Sequence, residues 1–405
     1  MQSQTNQKDP YRWLVLFAYS LLTATICLQW LSFAPIAREA QEFYHTSAFA
    51  IDFLALVYLV LYLFLALPAS YFIDRYGIQK GLGIGAILTA FFGTAKGLGS
   101  DSYALVCCTQ VGLGIAQPFL LNAVTKLSFQ WFPLEERASA IALGTLAQFI
   151  GIITAMLVGP YSFQVNLLFP GIKGLLSLYA FLSIISAILS LLVIREKPKH
   201  STAAHGEDRE IPFREGIKHL RKVKDFKFVL LLFLIGLGVF NAISTCIDQI
   251  GQAKGFDIEQ SGLLGGSILV SGIIGAICIP PFSDRFQKRK IFLIISMIGF
   301  VLGLGIFVIY DSFPTLVLAS VLIGFFLLGI GAPIGFLYAA EISSPAPEST
   351  SQGLLLLAGQ ISGIIFILGL HLFGMIQFSY VLFGLACLTI ILVLRLRESP
   401  WMAKG

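Results

Sequence analysis

Charge is what this sequence has least of. Only 12% of its 405 residues are Asp, Glu, Lys or Arg, where a soluble chain of this length carries roughly a quarter. That deficit excludes an ordinary soluble domain and places the chain in a bilayer. The net charge of +5 is scattered over short loops, so nucleic acid is excluded as a partner. All six cysteines (Cys27, Cys107, Cys108, Cys246, Cys278, Cys387) fall in apolar runs. None has metal-ligand spacing, and the neighbours Cys107 and Cys108 are poorly placed to bridge. They read as small buried hydrophobes, and no metal site or cofactor is expected. There is no Asn-x-Ser/Thr acceptor. No nucleophile–base pair or phosphate loop is visible, which argues against a membrane enzyme. The polar start is followed by an apolar run without a small-residue cleavage site, so that run reads as a retained helix.

What the chain has in abundance is oil: 57% hydrophobic residues with 35 Phe and 39 Gly, at a mean hydropathy of +0.85. A spanning helix needs about 20 mostly apolar residues. Twelve such runs are present, near 13–35, 51–72, 82–98, 103–127, 138–159, 174–194, 228–249, 263–279, 291–309, 315–340, 353–370 and 380–396. The expected fold is therefore all-α, with twelve transmembrane helices in two six-helix bundles, 1–194 and 228–405. The stretch 195–227 between them is polar, with ten Lys/Arg and six Asp/Glu. Ile211, Phe213, Ile217 and Leu220 recur there at helical spacing, which predicts a surface helix. Positive charge in short loops sets orientation. One side collects 23 Lys/Arg and the other only Arg38, Lys96, Lys173 and Lys254. Both termini and the central loop are thus expected in the cytoplasm of a multi-pass cell-membrane protein, working as a monomer.

The second half echoes the first. Ser70-Tyr71-Phe72-Ile73-Asp74-Arg75 returns as Pro281-Phe282-Ser283-Asp284-Arg285, with the two aspartates 210 positions apart. Gln148-Phe149-Ile150-Gly151 returns as Gln360-Ile361-Ser362-Gly363 at an offset of 212. A duplicated bundle is the architecture of many secondary transporters. Asp74 and Asp284 can accept N–H bonds at the start of a neighbouring helix, where the dipole favours an anion. Arg75 and Arg285 can pair with carboxylates at other helix ends. These four are read as a cytoplasmic gate.

The two Asp-Arg turns, the central loop, Trp131-Phe132-Pro133-Leu134-Glu135-Glu136-Arg137 and the twelve runs resemble the major facilitator superfamily over the whole chain. Narrower stretches carry a narrower likeness: Leu28-Gln29-Trp30, Ala50-Ile51-Asp52-Phe53-Leu54-Ala55-Leu56-Val57-Tyr58, Ala116-Gln117, Ser351-Gln352-Gly353-Leu354-Leu355 and Ala358-Gly359-Gln360. Together they resemble the feline leukaemia virus subgroup C receptor family, linked to choline, ethanolamine and haem transport. The resemblance implies a central site built from Trp30, Tyr58, Gln117 and Gln360. Where that family has a second cage tyrosine, this chain reads Phe240-Asn241, so Phe240 or Tyr58 would have to supply the second aromatic wall. The alternative is a ligand that is not a quaternary ammonium.

The residues fit a solute site on their own chemistry. A Trp face attracts an organic cation, and a Gln amide in hydrocarbon needs a partner. Interfacial anchoring for Trp30 and interhelical glue for the glutamines are the plainer alternatives. Asp52 and Asp248 border the helices at their outer ends, either as vestibule acids or, for Asp52, as a helix cap. No Asp, Glu or His stands midway along the first, fourth, fifth, seventh, tenth or eleventh helix, which points to facilitated transport. Gly81, Gly83, Gly85 and the pair Gly359 and Gly363 read as close helix packing. Pro35, Pro68, Pro118 and Pro333 are expected to bend helices. The expectation is a carrier for a small organic solute, foremost a cationic amine such as choline or ethanolamine. The alternatives are an exporter of haem, a vitamin or a drug-like solute, or a membrane receptor that binds without translocating.

Overall fold

A computed structural model describes residues 10–132, 134–164, 171–196, 213–343, 346 and 348–400. Among them the fold is all-α, and 12 helices are long and apolar enough to cross a membrane. In the first half these are α1 (Tyr11–Trp30), α2 (Ala48–Tyr76), α3 (Ile78–Leu98), α4 (Tyr103–Leu121), α5 (Leu134–Gln164) and α6 (Gly171–Val193). In the second they are α7 (Lys224–Thr245), α8 (Ile258–Cys278), α9 (Lys290–Ile309), α10 (Phe313–Ser343), α11 (Glu348–Phe373) and α12 (Met375–Leu394). Helices are the natural answer to hydrocarbon, because each satisfies its own backbone N–H and C=O groups.

The chain forms two compact units, Met1–Phe33 with Glu39–Gly206, and Ala34–Arg38 with Glu207–Gly405. Each has the same internal wiring. In the first, α1 packs on α5 and α6, α2 on α4, and α3 on α4 and α6. In the second, α7 packs on α11 and α12, α8 on α10, and α9 on α10 and α12. Every pairing recurs six helices later, which is the duplication made physical.

Several helices end where the apolar pattern does not. The first apolar run predicts one helix to 35, but α1 stops at Trp30. Pro35 sits in a separate 3₁₀ turn, Ala34–Ile36, followed by the short helix Ala37–Tyr44. Proline lacks the N–H that a continuing helix would use. The fourth run also divides: α4 ends at Leu121, and a second helix, Val124–Trp131, continues after it. The start of α2 is capped by the Ser47 hydroxyl, which accepts from Ala50 N. The expectation that Asp52 caps this helix is corrected: Asp52 lies inside α2 and is buried. Within α10, Gly324–Gly331 widens to a π-helix, the kind of bulge that recurs at functional sites. The predicted surface helix is present over Phe213–Leu220, while Ile211 lies outside the described residues.

One glycine shows how close the packing is. The Cβ of an alanine at Gly151 on α5 would overlap the Ala24 carbonyl of α1. Backbone cannot swing aside as a side chain can. We expect Gly151→Ala to cost about 1–3 kcal/mol and to lower the melting temperature of the purified protein. An unchanged melting temperature would show that α1 and α5 stand further apart than this.

Candidate functional site

In the first unit the residues singled out from sequence fall around one buried polar cluster. Trp30 ends α1, and its indole Nε1 donates to the Ala55 carbonyl at 3.1 Å. The N–H is thus used internally, and the ring face is left. Tyr58, three residues beyond Ala55 on α2, is completely buried, and its hydroxyl donates to Gln110 Oε1 at 3.0 Å. Gln110 in turn donates from Nε2 to the Leu54 carbonyl at 3.2 Å. Gln117 lies seven residues after Gln110, two turns on and on the same face of α4, and is buried.

Sequence reasoning missed three members of this cluster. Gln29 donates to the Tyr179 carbonyl and to Ser183 Oγ of α6, at 3.2 and 3.0 Å. Gln110 is one. Lys96 is another: it counts in the sequence among the few outer-side charges, near the end of the third run, yet within α3 it is 0% exposed. The apolar neighbours that make α3 a span hid its one buried amine.

In the second unit, Asn241 of α7 donates from Nδ2 to the Gly359 carbonyl of α11 at 3.2 Å. It thereby holds α7 to α11 beside the next residue, Gln360. Gln360 Oε1 is buried without a hydrogen-bond partner among the described residues. Phe240 is buried beside Asn241. An apolar cavity between α7, α9 and α10, lined by Phe233, Met297 and Leu327 among others, adjoins the π segment and has no polar group to recognise an amine.

Asp248 is neither free nor water-solvated. It is 0% exposed, and Arg38 surrounds it with its backbone N on Oδ2 at 2.8 Å and its guanidinium Nη2 on Oδ1 at 2.6 Å. Arg38 Nη1 also reaches the Phe256 carbonyl at 2.8 Å. Burial pushes the Asp248 carboxyl above the usual carboxylate range, and the bonds from Arg38 oppose that rise. The expectation of an acid open to the outer vestibule is corrected accordingly.

At the helix ends that carry the two Asp-Arg turns, several carboxylates are engaged. The side chains of Asp74 and Asp284 lie outside the described residues. Two other carboxylates cap helix starts here, Glu196 and Glu398. Glu196, just after α6, accepts from Gln79 N at the start of α3 at 3.0 Å. Glu398, just after α12, accepts from Arg289 N and Lys290 N at the start of α9, at 2.8 and 3.2 Å. Gly77, at φ +95°, leaves room for the Glu196 carboxylate, which any side chain there would strike. Arg75 is exposed and donates to the Tyr71 hydroxyl at 2.7 Å; Arg285 is exposed at the end of the short helix Pro280–Phe286. The deep cation of this region is Arg289, paired with Glu341 at 2.9 Å. A signal for the two caps does exist in the sequence: Arg195-Glu196-Lys197-Pro198 returns as Arg397-Glu398-Ser399-Pro400.

Comparison with known proteins agrees with this architecture. The profile of the Major Facilitator Superfamily matches residues 15–365 and again 242–404. Solute carrier family 49 member A3 of Xenopus tropicalis is 30% identical over 377 residues, covering 88% of this chain and 77% of that one. The human choline/ethanolamine transporter FLVCR2 is 28% identical over 387 residues, covering 88% and 70%. Among solved structures, the D-xylose–proton symporter superposes with a TM-score of 0.71 at 15% identity, over 97% of this chain and 98% of that one. A bacterial homologue of the human lysosomal transporter Spinster gives 0.68 at 15% identity over 95% of each chain. At that identity these two speak for the fold alone.

Proposed function

Because this chain belongs to the Major Facilitator Superfamily, we propose that it carries a small cationic amine of the choline and ethanolamine kind across the membrane by alternating access. One observation carries the reading: the unpartnered, buried Oε1 of Gln360. A bare acceptor in hydrocarbon costs several kcal/mol, and the ammonium of ethanolamine or the hydroxyl of choline supplies the missing donor. Trp30 suits a cation on its own chemistry, since its N–H is committed and an indole ring attracts positive charge. The transporter named for choline and ethanolamine among the relatives supports this substrate class. Asn241 replaces an aromatic wall, which favours a primary amine that can be hydrogen-bonded over one that must be caged. The protein would work as a monomer in the cell membrane with both termini cytoplasmic, and the helix ends around Asp74, Arg75, Asp284 and Arg285 would form its inner gate.

Counterflow in proteoliposomes tests this directly, because a receptor that only binds gives none. Labelled choline or ethanolamine should exchange against unlabelled amine inside. Gln360→Ala should raise the KM for exchange about tenfold, the loss of one hydrogen bond to a charged or buried partner. Trp30→Ala should weaken binding by a similar factor. No exchange of either amine, or exchange untouched by both substitutions, would reject the reading.

A further inference from the structure

The neighbourhood of Lys96 is made of acceptors. Its Nζ stands 2.9 Å from Gln29 Oε1, 2.7 Å from Ser32 Oγ and 3.2 Å from Gln110 Oε1. The Ser32 hydroxyl spends its own hydrogen on the Gln29 carbonyl at 3.0 Å, so toward Lys96 it can only accept. Both glutamine NH₂ groups are committed elsewhere, to Tyr179, Ser183 and Leu54, so their oxygens face the amine. An ammonium has three donors, and three side-chain acceptors meet them. The Phe33 ring, with its centroid 5.0 Å away, adds a π face. Among the described residues no carboxylate lies within ion-pair distance of it.

The titratable neighbours are few. Tyr58 comes from α2, Cys27 lies two residues before Gln29 on α1, and Tyr179 comes from α6. Lys173 of α6 is engaged with Asp101 at 2.6 Å, and Asp52 sits buried toward the outer end of α2. This is an amine held by neutral acceptors, inside a spanning helix where ionisable residues are rare and functional.

The cluster also touches the amine site. Gln110 Oε1 accepts from both Lys96 and Tyr58, and Gln29 is the residue before Trp30. An organic cation against Trp30 and Tyr58 would therefore stand close to the Lys96 charge. Two like charges close together in a protein interior oppose each other. We propose that Lys96 releases its proton when the amine cation binds, so that the carrier exchanges one amine for one proton. This inference rests on the amine reading above. Its cycle balances: the Lys96 ammonium loses a proton to the water on the side from which the amine enters. The neutral amine of Lys96 then takes a proton from the far side once the solute has left. No net charge crosses. The facilitated mode expected from the absence of acids and histidines gives way, because a lysine supplies the titrating group instead.

The test uses the purified full-length protein in proteoliposomes with the membrane potential clamped at zero. The probe is labelled choline, whose charge is permanent. A lumen about two pH units more acid than the bath should accelerate choline uptake several-fold, and a trapped pH dye should report the lumen turning alkaline as choline enters. Lys96→Gln should lose the acceleration by the gradient, whatever its rate of counterflow. Lys96→Arg, which cannot shed its charge, should weaken choline binding about tenfold at every pH. Choline counterflow without gradient drive or dye response in the wild type overturns the exchange while leaving the amine reading intact. Gradient drive that survives in Lys96→Gln also overturns it. Should that variant not fold, the wild-type dye response decides alone. Absence of choline counterflow at every pH overturns the exchange, and absence of ethanolamine counterflow as well overturns both readings together.

Discussion

Glu341→Ala should destabilise the second unit by about 3–5 kcal/mol, the usual cost of stranding one member of a buried pair. Arg289 is 4% and Glu341 7% exposed at the side chain. The guanidinium sets Nε and Nη2 on one oxygen of Glu341, at 3.1 and 2.9 Å, while Nη1 donates to Ser283 Oγ at 3.0 Å. Without the carboxylate, the buried cation loses the ion pair that offsets its desolvation. Replacing both members by similar-sized apolar residues, Arg289→Met with Glu341→Met, should recover most of the loss, since desolvation and attraction nearly offset in such pairs. Unfolding of the purified variants, read as a double-mutant cycle, checks this. A double variant no more stable than Glu341→Ala would show that the pair contributes net stability rather than breaking even.

The second large effect falls in the same unit, at the buried Asp248. Arg38→Ala removes the guanidinium from a fully buried carboxylate and leaves Asp248 with the backbone N–H of residue 38. The expected cost near pH 7.5 is about 3 kcal/mol, again that of an uncompensated buried charge. Its pH dependence has a definite sign. Burial already lifts the Asp248 carboxyl above the ordinary carboxylate range, and removing Arg38 takes away what opposes that lift. A folded-state value above the unfolded one means the folded chain binds the proton more tightly, so stability increases as pH falls through the raised value. The gap in melting temperature between Arg38→Ala and wild type should therefore narrow from pH 7.5 to pH 5. A gap that widens in acid would mean the carboxylate finds another cation once Arg38 is gone.

The sequence by itself determined the membrane class, the twelve spans and the duplication. Hydrocarbon leaves a chain little choice: a run of about 20 apolar residues must coil to satisfy its backbone, and that rule needs no knowledge of neighbours. The echo of Asp74 in Asp284 marked the repeat for the same reason, being a matter of position along the chain. Which polar groups meet was decided only by tertiary structure. Lys96 reads as a rim charge beside Gly97 and Gly99, and becomes the hub of a buried cluster because Gln29 and Gln110 arrive from helices 67 and 14 residues away. Asp52 looked like a cap until Ser47 took that place. Glu196 and Glu398 cap the starts of α3 and α9 because a carboxylate caps whichever helix start it reaches in space, and reach is set by how α6 and α12 lie against α3 and α9. Apolar pattern is local and additive, so it can be read along a line; the pairing of a buried polar atom depends on a partner that the chain brings back from far away.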